Sequence, residues 1–74
     1  MSKDEIARIL KNGGRISHHV NCYRLTDVDG FKQKCTITHA TIVALLDNLY
    51  CLPVTKSTNG ELYRYTWREH EDEN

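Results

Sequence analysis

Nothing in these 74 residues is apolar for long enough to cross a bilayer, since the longest run, Ile42 to Leu46, falls far short of the ~20 residues that a spanning helix needs. Proline occurs once and glycine four times, and apart from the last few residues there is no linker, repeat or low-complexity stretch. Cysteine occurs three times, as Cys22, Cys35 and Cys51. Their odd number, their wide spacing and the polar start Met1 to Glu5, which is no signal peptide, argue against a disulfide scaffold and for a reducing cytoplasm. Those cysteines and His18, His19, His39 and His70 include no C-x2-4-C knuckle, so the spacing does not support zinc. Gly13, Gly14 and Gly30 lack the G-x-G-x-x-G and G-x-x-x-x-G-K-[ST] contexts that cradle phosphate. Cys35 near His39 is the only local pairing of a nucleophile with a base worth naming, and both read as packing residues: His39 shares a helical stripe with Ile42 and Leu46, and Cys35 falls on a core-facing side. Asp27 and Asp29 belong to a turn. The sequence therefore predicts no catalytic residue, no metal ligand and no cofactor, which makes a binding protein the expected class.

The net charge of zero conceals an asymmetry. Glu69, Glu71, Asp72 and Glu73 crowd the last six residues, while residues 1–68 carry ten Lys/Arg against six Asp/Glu, a balance of +4. A single α+β domain over 1–68 with an acidic, disordered tail over 69–74 is expected. A domain of this size buries only about 60% of the surface its unfolded chain exposes, so self-association as a homodimer is a further option.

Ser2 followed by Glu5 forms a capping box, and Ile6, Ile9 and Leu10 then make one apolar stripe, which predicts a helix over about 3–12 ended by Gly13 and Gly14. Arg15 to Val20 reads as a strand whose faces are blurred by His18 and His19. A three-residue loop Val28-Asp29-Gly30, with Gly30 left-handed, pairs Asp27 with Phe31, Leu25 with Gln33 and Tyr23 with Cys35. That hairpin gathers Tyr23, Leu25, Phe31, Cys35 and Ile37 on one face. Thr38 caps a second helix whose stripe is Ile42, Leu45, Leu46 and Leu49, bracketed at its end by Asn48 and Pro53. A two-residue Asn59-Gly60 turn pairs Val54 with Tyr65 and Leu52 with Trp67, collecting Leu52, Val54, Tyr63, Tyr65 and Trp67 on one face. The expected architecture is two short helices packed on one face of an antiparallel sheet made of two β-hairpins, in helix-hairpin-helix-hairpin order.

A helix followed at once by a hairpin resembles the second half of a winged-helix domain, yet no Lys or Arg occurs from Thr38 to Leu49, and the helix therefore lacks phosphate contacts and guanine readers. The cations lie on the hairpins instead. Arg24, Lys32 and Lys34 are expected on the outer face of the first, and Lys56, Arg64 and Arg68 on or near the second; these six are the candidate partner-binding residues. Gly13-Gly14-Arg15-Ile16, a strand ending at Cys35, a helix, and Asn59-Gly60-Glu61-Leu62-Tyr63-Arg64 together resemble the small YjhX-like proteins of bacteria and prophages. The resemblance implies a winged-helix-like fold and a family described as toxins without assigned catalytic residues. The expected function is non-enzymatic binding of a macromolecular partner, a protein before a nucleic acid, as a phage- or mobile-element-type regulator or an anti-CRISPR-like inhibitor would bind. The alternative is a winged-helix-like nucleic-acid-binding regulator, and the third reading is a cysteine-dependent toxin or enzyme.

Overall fold

A computed structural model describes residues 2–33, 35–55 and 60–68. Two helices and a four-stranded antiparallel sheet make up an α+β fold. Helix α1, Lys3–Lys11, starts where the capping box predicts: the Glu5 amide donates to Ser2 Oγ at 3.3 Å. It ends as the Gly13 and Gly14 amides donate to the carbonyls of Leu10 and Ile9. Strands β1, Arg15–His19, and β2, Tyr23–Thr26, form a hairpin, and helix α2, His39–Leu45, is capped by Thr38, whose side chain accepts from the Thr41 amide. A 3-10 turn over Leu46–Asn48 leads into β3, Leu49–Pro53, which pairs with β4, Glu61–Trp67.

The sheet order is β2-β1-β4-β3, so β1 and β4 pair at its centre. Residues paired across strands share a face, which puts Leu25, Ile16, Tyr65 and Cys51 in one row on the helix side of the sheet, with Cys51 exposed at its β3 end. Ile6 and Leu10 of α1 and Ile42 and Leu45 of α2 pack onto that face with Ile16, Leu25, Ile37, Leu49 and Trp67 in a single core. Lys11 stands over the Trp67 ring, its Nζ 5.3 Å from the centroid.

Three expectations are corrected. The first concerns the hairpin that follows α1, which is β1 with β2 and not Tyr23–Asp27 with Phe31–Ile37. The three-residue loop does form, with Gly30 at φ +91°, Asp27 N–H donating to Phe31 O and Gln33 N–H to Leu25 O. Its return arm reduces to one bridge, Thr26 to Lys32, and the chain then leaves β2 to bring Ile37 into the core; Phe31 is left 67% exposed. The second concerns α2, which stops at Leu45, so that Leu46 is exposed and Leu49 enters the core as the first residue of a strand. The third follows from it. With Leu49 anchored inside, period-two alternation sends Leu52 and Val54 outward, and the register is Cys51 with Tyr65 and Leu49 with Trp67. The pairs Val54–Tyr65 and Leu52–Trp67 do not form, and Asn59 of the proposed turn lies outside the described residues.

Both outer strands have blunted edges. Because Val54 N–H bonds Leu62 O, residues 49, 51 and 53 of β3 point their peptide groups away from β4. Leu49 N–H is taken by Leu46 O, Leu49 O accepts from Arg68 Nε at 3.2 Å, and Pro53 has no N–H. Cys51 is left as the one residue of β3 with an N–H facing outward. On β2, the segment 31–33 covers Leu25 O and Asp27 N–H. Restoring donor and acceptor on β3 by Pro53→Val with Arg68→Ala is therefore expected to raise self-association above that of the wild type; equal sedimentation profiles over a concentration series would contradict this.

Gly14 and Gly30 are required for different reasons. A Cβ on Gly14 would lie 2.7 Å from Thr26 O and 2.7 Å from Ile9 Cγ2, whereas at Gly30 it would meet nothing but sit at a positive φ. Gly14→Ala forces α1 off the sheet and is expected to cost about 2 kcal/mol or more. Gly30→Ala is expected to cost about 1 kcal/mol, the left-handed penalty alone. Urea unfolding of the two variants ranks them, and a smaller loss at Gly14 would refute the packing account.

Candidate functional site

The sheet face away from the helices is formed by the alternate residues of each strand. One row runs Lys32, Thr26, Arg15, Thr66 and Tyr50 across the sheet, and the next runs Arg24, Ser17, Arg64 and Leu52. Among the described residues no helix covers this face, and Arg15, Arg24, Lys32, Tyr50 and Leu52 are exposed on it. Ser17 and Thr26 are buried even so, small polar residues flanked on neighbouring strands by longer side chains.

A β-bulge organises the third row. Between His18 and His19 the pairing with β4 shifts, so His18 faces Tyr63 but His19 faces Glu61, and Leu62 is the extra residue. Without that shift Glu61 would share the helix-side face of Tyr63. With it, Glu61 joins Ser17 and His19 on the outer face, 7% exposed. Arg64 grips its carboxylate through Nη2 to Oε1 at 3.0 Å and Nε to Oε2 at 3.3 Å. The Arg64 guanidinium holds the Glu61 carboxyl below its ordinary value, opposed by burial and assisted by the Ser17 hydroxyl and by His19. The Glu61 carboxylate in turn raises Arg64. On the helix side, burial pushes the Tyr65 hydroxyl up to about 12, with Cys51 adding to the effect.

Of the six residues expected to bind a partner, Arg24, Lys32 and Arg64 share the outer face. Arg68 is engaged at the β3 edge by Leu49 O. Lys34 and Lys56 lie outside the described residues. Arg15, which the sequence does not single out as a binding residue, sits on the same face between Thr26 and Thr66; strict alternation of Arg15, Ser17 and His19 against Ile16 and His18 is the signal that points to it. Arg15, Arg24 and Lys32 make no ion pair among the described residues, whereas Arg64 is matched by Glu61.

A second concavity, of about 630 Å³, lies on the opposite face near the β1–β2 turn, where His18, Cys22, Tyr23 and Cys35 contribute to its lining. His18 stacks on Tyr23 at 4.4 Å between centroids and on Tyr63 at 5.8 Å. Its Nδ1 is buried without a hydrogen-bond partner. His39 Nδ1 shares a 3.2 Å hydrogen bond with the Tyr23 hydroxyl, so its interaction is with a phenol and not with the Cys35 thiol. Among the described residues no group of three or more His, Cys, Asp or Glu side chains is placed to hold a metal ion, and no helix is long and apolar enough to cross a membrane. No protein-family model, curated protein or solved structure matches the chain.

Glu61→Ala leaves a guanidinium and a hydroxyl without their acceptor and is expected to cost about 1–3 kcal/mol. Since the folded carboxyl titrates below its unfolded value of 4.5, its contribution is fully present above that pH and is lost as pH falls through the folded value. The stability gap between wild type and Glu61→Gln, followed by urea titration, is expected to be largest near neutrality and to close in acid; a gap that does not change with pH would contradict the assignment.

Proposed function

We propose that this chain is a non-enzymatic binding domain whose uncovered sheet face engages an acidic macromolecular partner, a protein before a nucleic acid, in the stoichiometric manner of a regulator or inhibitor. The observation that carries this reading is the set Arg15 on β1, Arg24 on β2 and Lys32 on the segment bridged to β2, three cations on one open face with no ion-pair partner among the described residues. Helix α2 carries no Lys or Arg, which disfavours insertion into a nucleic-acid groove. A cysteine-dependent reaction has no support from His39, whose Nδ1 is bonded to Tyr23.

Charges on an exposed sheet face contribute little to stability, so reversing them separates binding from folding. Arg15→Glu with Arg24→Glu is expected to leave the unfolding midpoint near that of the wild type and to weaken binding of the partner captured from native extract by roughly tenfold or more. Binding is also expected to weaken with added salt, modestly for a protein and steeply for a nucleic acid. Unchanged affinity of the double variant in a titration against the captured partner would sink the proposal.

A further inference from the structure

The row Leu52, Arg64, Ser17, Arg24 crosses all four strands on the uncovered face. Neighbouring strands are about 4.8 Å apart, so the row is about 14 Å long. At its β3 end Leu52, 42% exposed, Pro53, Val54, Thr55 and Arg64 line a cavity of about 360 Å³, large enough for an aliphatic or aromatic side chain. Next along the row stands Arg64, whose Nε and Nη2 are held by Glu61 and whose Nη1 donors remain for another acceptor. At the far end stands Arg24, exposed and without an ion-pair partner among the described residues. The line thus reads apolar cavity, cation, hydroxyl, cation.

An extended chain repeats a side chain on the same face about every 6.8 Å. With an apolar residue seated in the cavity, the next side chain on that face falls about 6.8 Å along the row, between Arg64 and Ser17, and the one after falls about 13.6 Å along it, at Arg24. We infer that the partner presents an extended acidic segment of the form Φ-x-Glu-x-Glu, with aspartate equivalent to glutamate, laid across the strands with its apolar residue over Leu52 and its second acid at Arg24. This rests on the binding reading above and names the chemistry of the partner. Charge complementarity selects the second acid, at Arg24, while the first is selected by the remaining Nη1 donors of Arg64, whose charge Glu61 already balances. The cavity selects the apolar residue and fixes the direction of the segment.

The test titrates three synthetic peptides into the full chain while amide NMR reports affinity and location. One peptide carries the Φ-x-Glu-x-Glu pattern with leucine as Φ, the second replaces that leucine by serine, and the third has the same composition with the leucine moved one residue toward the acids. The patterned peptide is expected to bind about tenfold more tightly than either control, with shifts running from Leu52 to Arg24. Leu52→Asp is expected to remove the difference between the peptides, and the amide spectrum checks that the variant is folded. Equal binding of all three, weakened alike by Arg24→Glu, would overturn the motif and leave the acidic-partner reading in place. No binding by any of them together with no effect of Arg15→Glu and Arg24→Glu on the captured partner would overturn both. Tighter binding of a single-stranded oligonucleotide than of the patterned peptide would overturn both in favour of nucleic acid, and self-association abolished by Leu52→Asp would assign the row to a second copy of this chain.

Discussion

The pairing of β1 with β4 is the contact on which the rest of the molecule depends. It joins residues 15–19 to residues 61–66, positions 42 to 51 apart in the chain, and among the described residues it is the one strand pair that links the two hairpins. A lone two-stranded hairpin is marginal in water. Fused at β1 and β4, the two hairpins present Leu25, Ile16, Tyr65, Leu49 and Trp67 as one surface on which both helices pack. The loop-closure entropy of so distant a pairing must be met before the burial that depends on it is gained.

The same ladder sets the chemistry of the outer face. Its single irregularity, the bulge at Leu62, turns Glu61 from the helix side to the open side, where its charge meets Arg64. A fold without that bulge would bury a carboxylate beside Tyr63 among aromatic rings, a placement that is costly without a paired cation. The bulge therefore settles two things at once: Glu61 is satisfied, and Arg64 is the least available of the face's cations. The remaining basic character belongs to Arg15, Arg24 and Lys32, on the β1–β2 side, while Tyr50 and Leu52 make the β3 side apolar.

How far these features are legible in the sequence depends on whether local chemistry or distant pairing decides them. Helix α1 is legible because Ser2, Glu5 and the two glycines are local signals, and so is the start of α2 at Thr38. The hairpin of β1 and β2 is not, because its Val20-Asn21 turn contains no glycine and no residue at positive φ, so nothing marks it as a turn. The register of β3 was missed because both Leu49 and Leu52 could serve as the buried leucine, and only the 3-10 turn after Leu45 decides between them. Arg24, Lys32 and Arg64 could be assigned to an outer face from hairpin alternation alone. Arg15 follows from the same alternation once Ile16 is taken as the core residue of its strand, a choice that His18 and His19 obscure, and the pairing of Glu61 with Arg64 across an i, i+3 step on a strand has no sequence signature without the bulge.

The two outer strands limit how a partner can approach. Strand addition needs a run of free N–H and C=O groups, and β3 presents outward only one N–H, that of Cys51, between a consumed Leu49 and a proline. On β2 the segment 31–33 takes the Leu25 carbonyl and the Asp27 amide, and Asp27 locks that segment in place through the amides of Asp29 and Phe31 and the side chain of Gln33. Backbone pairing is thus discouraged at both edges while one whole face stays open. On the binding reading proposed above, recognition through that face comes from side chains, electrostatic where Arg15, Arg24 and Lys32 stand and apolar where Leu52 and Tyr50 stand. Under that proposal, a sheet with few free edge groups and one open charged face selects a partner by its side-chain pattern, since an extended backbone alone gains little purchase on it.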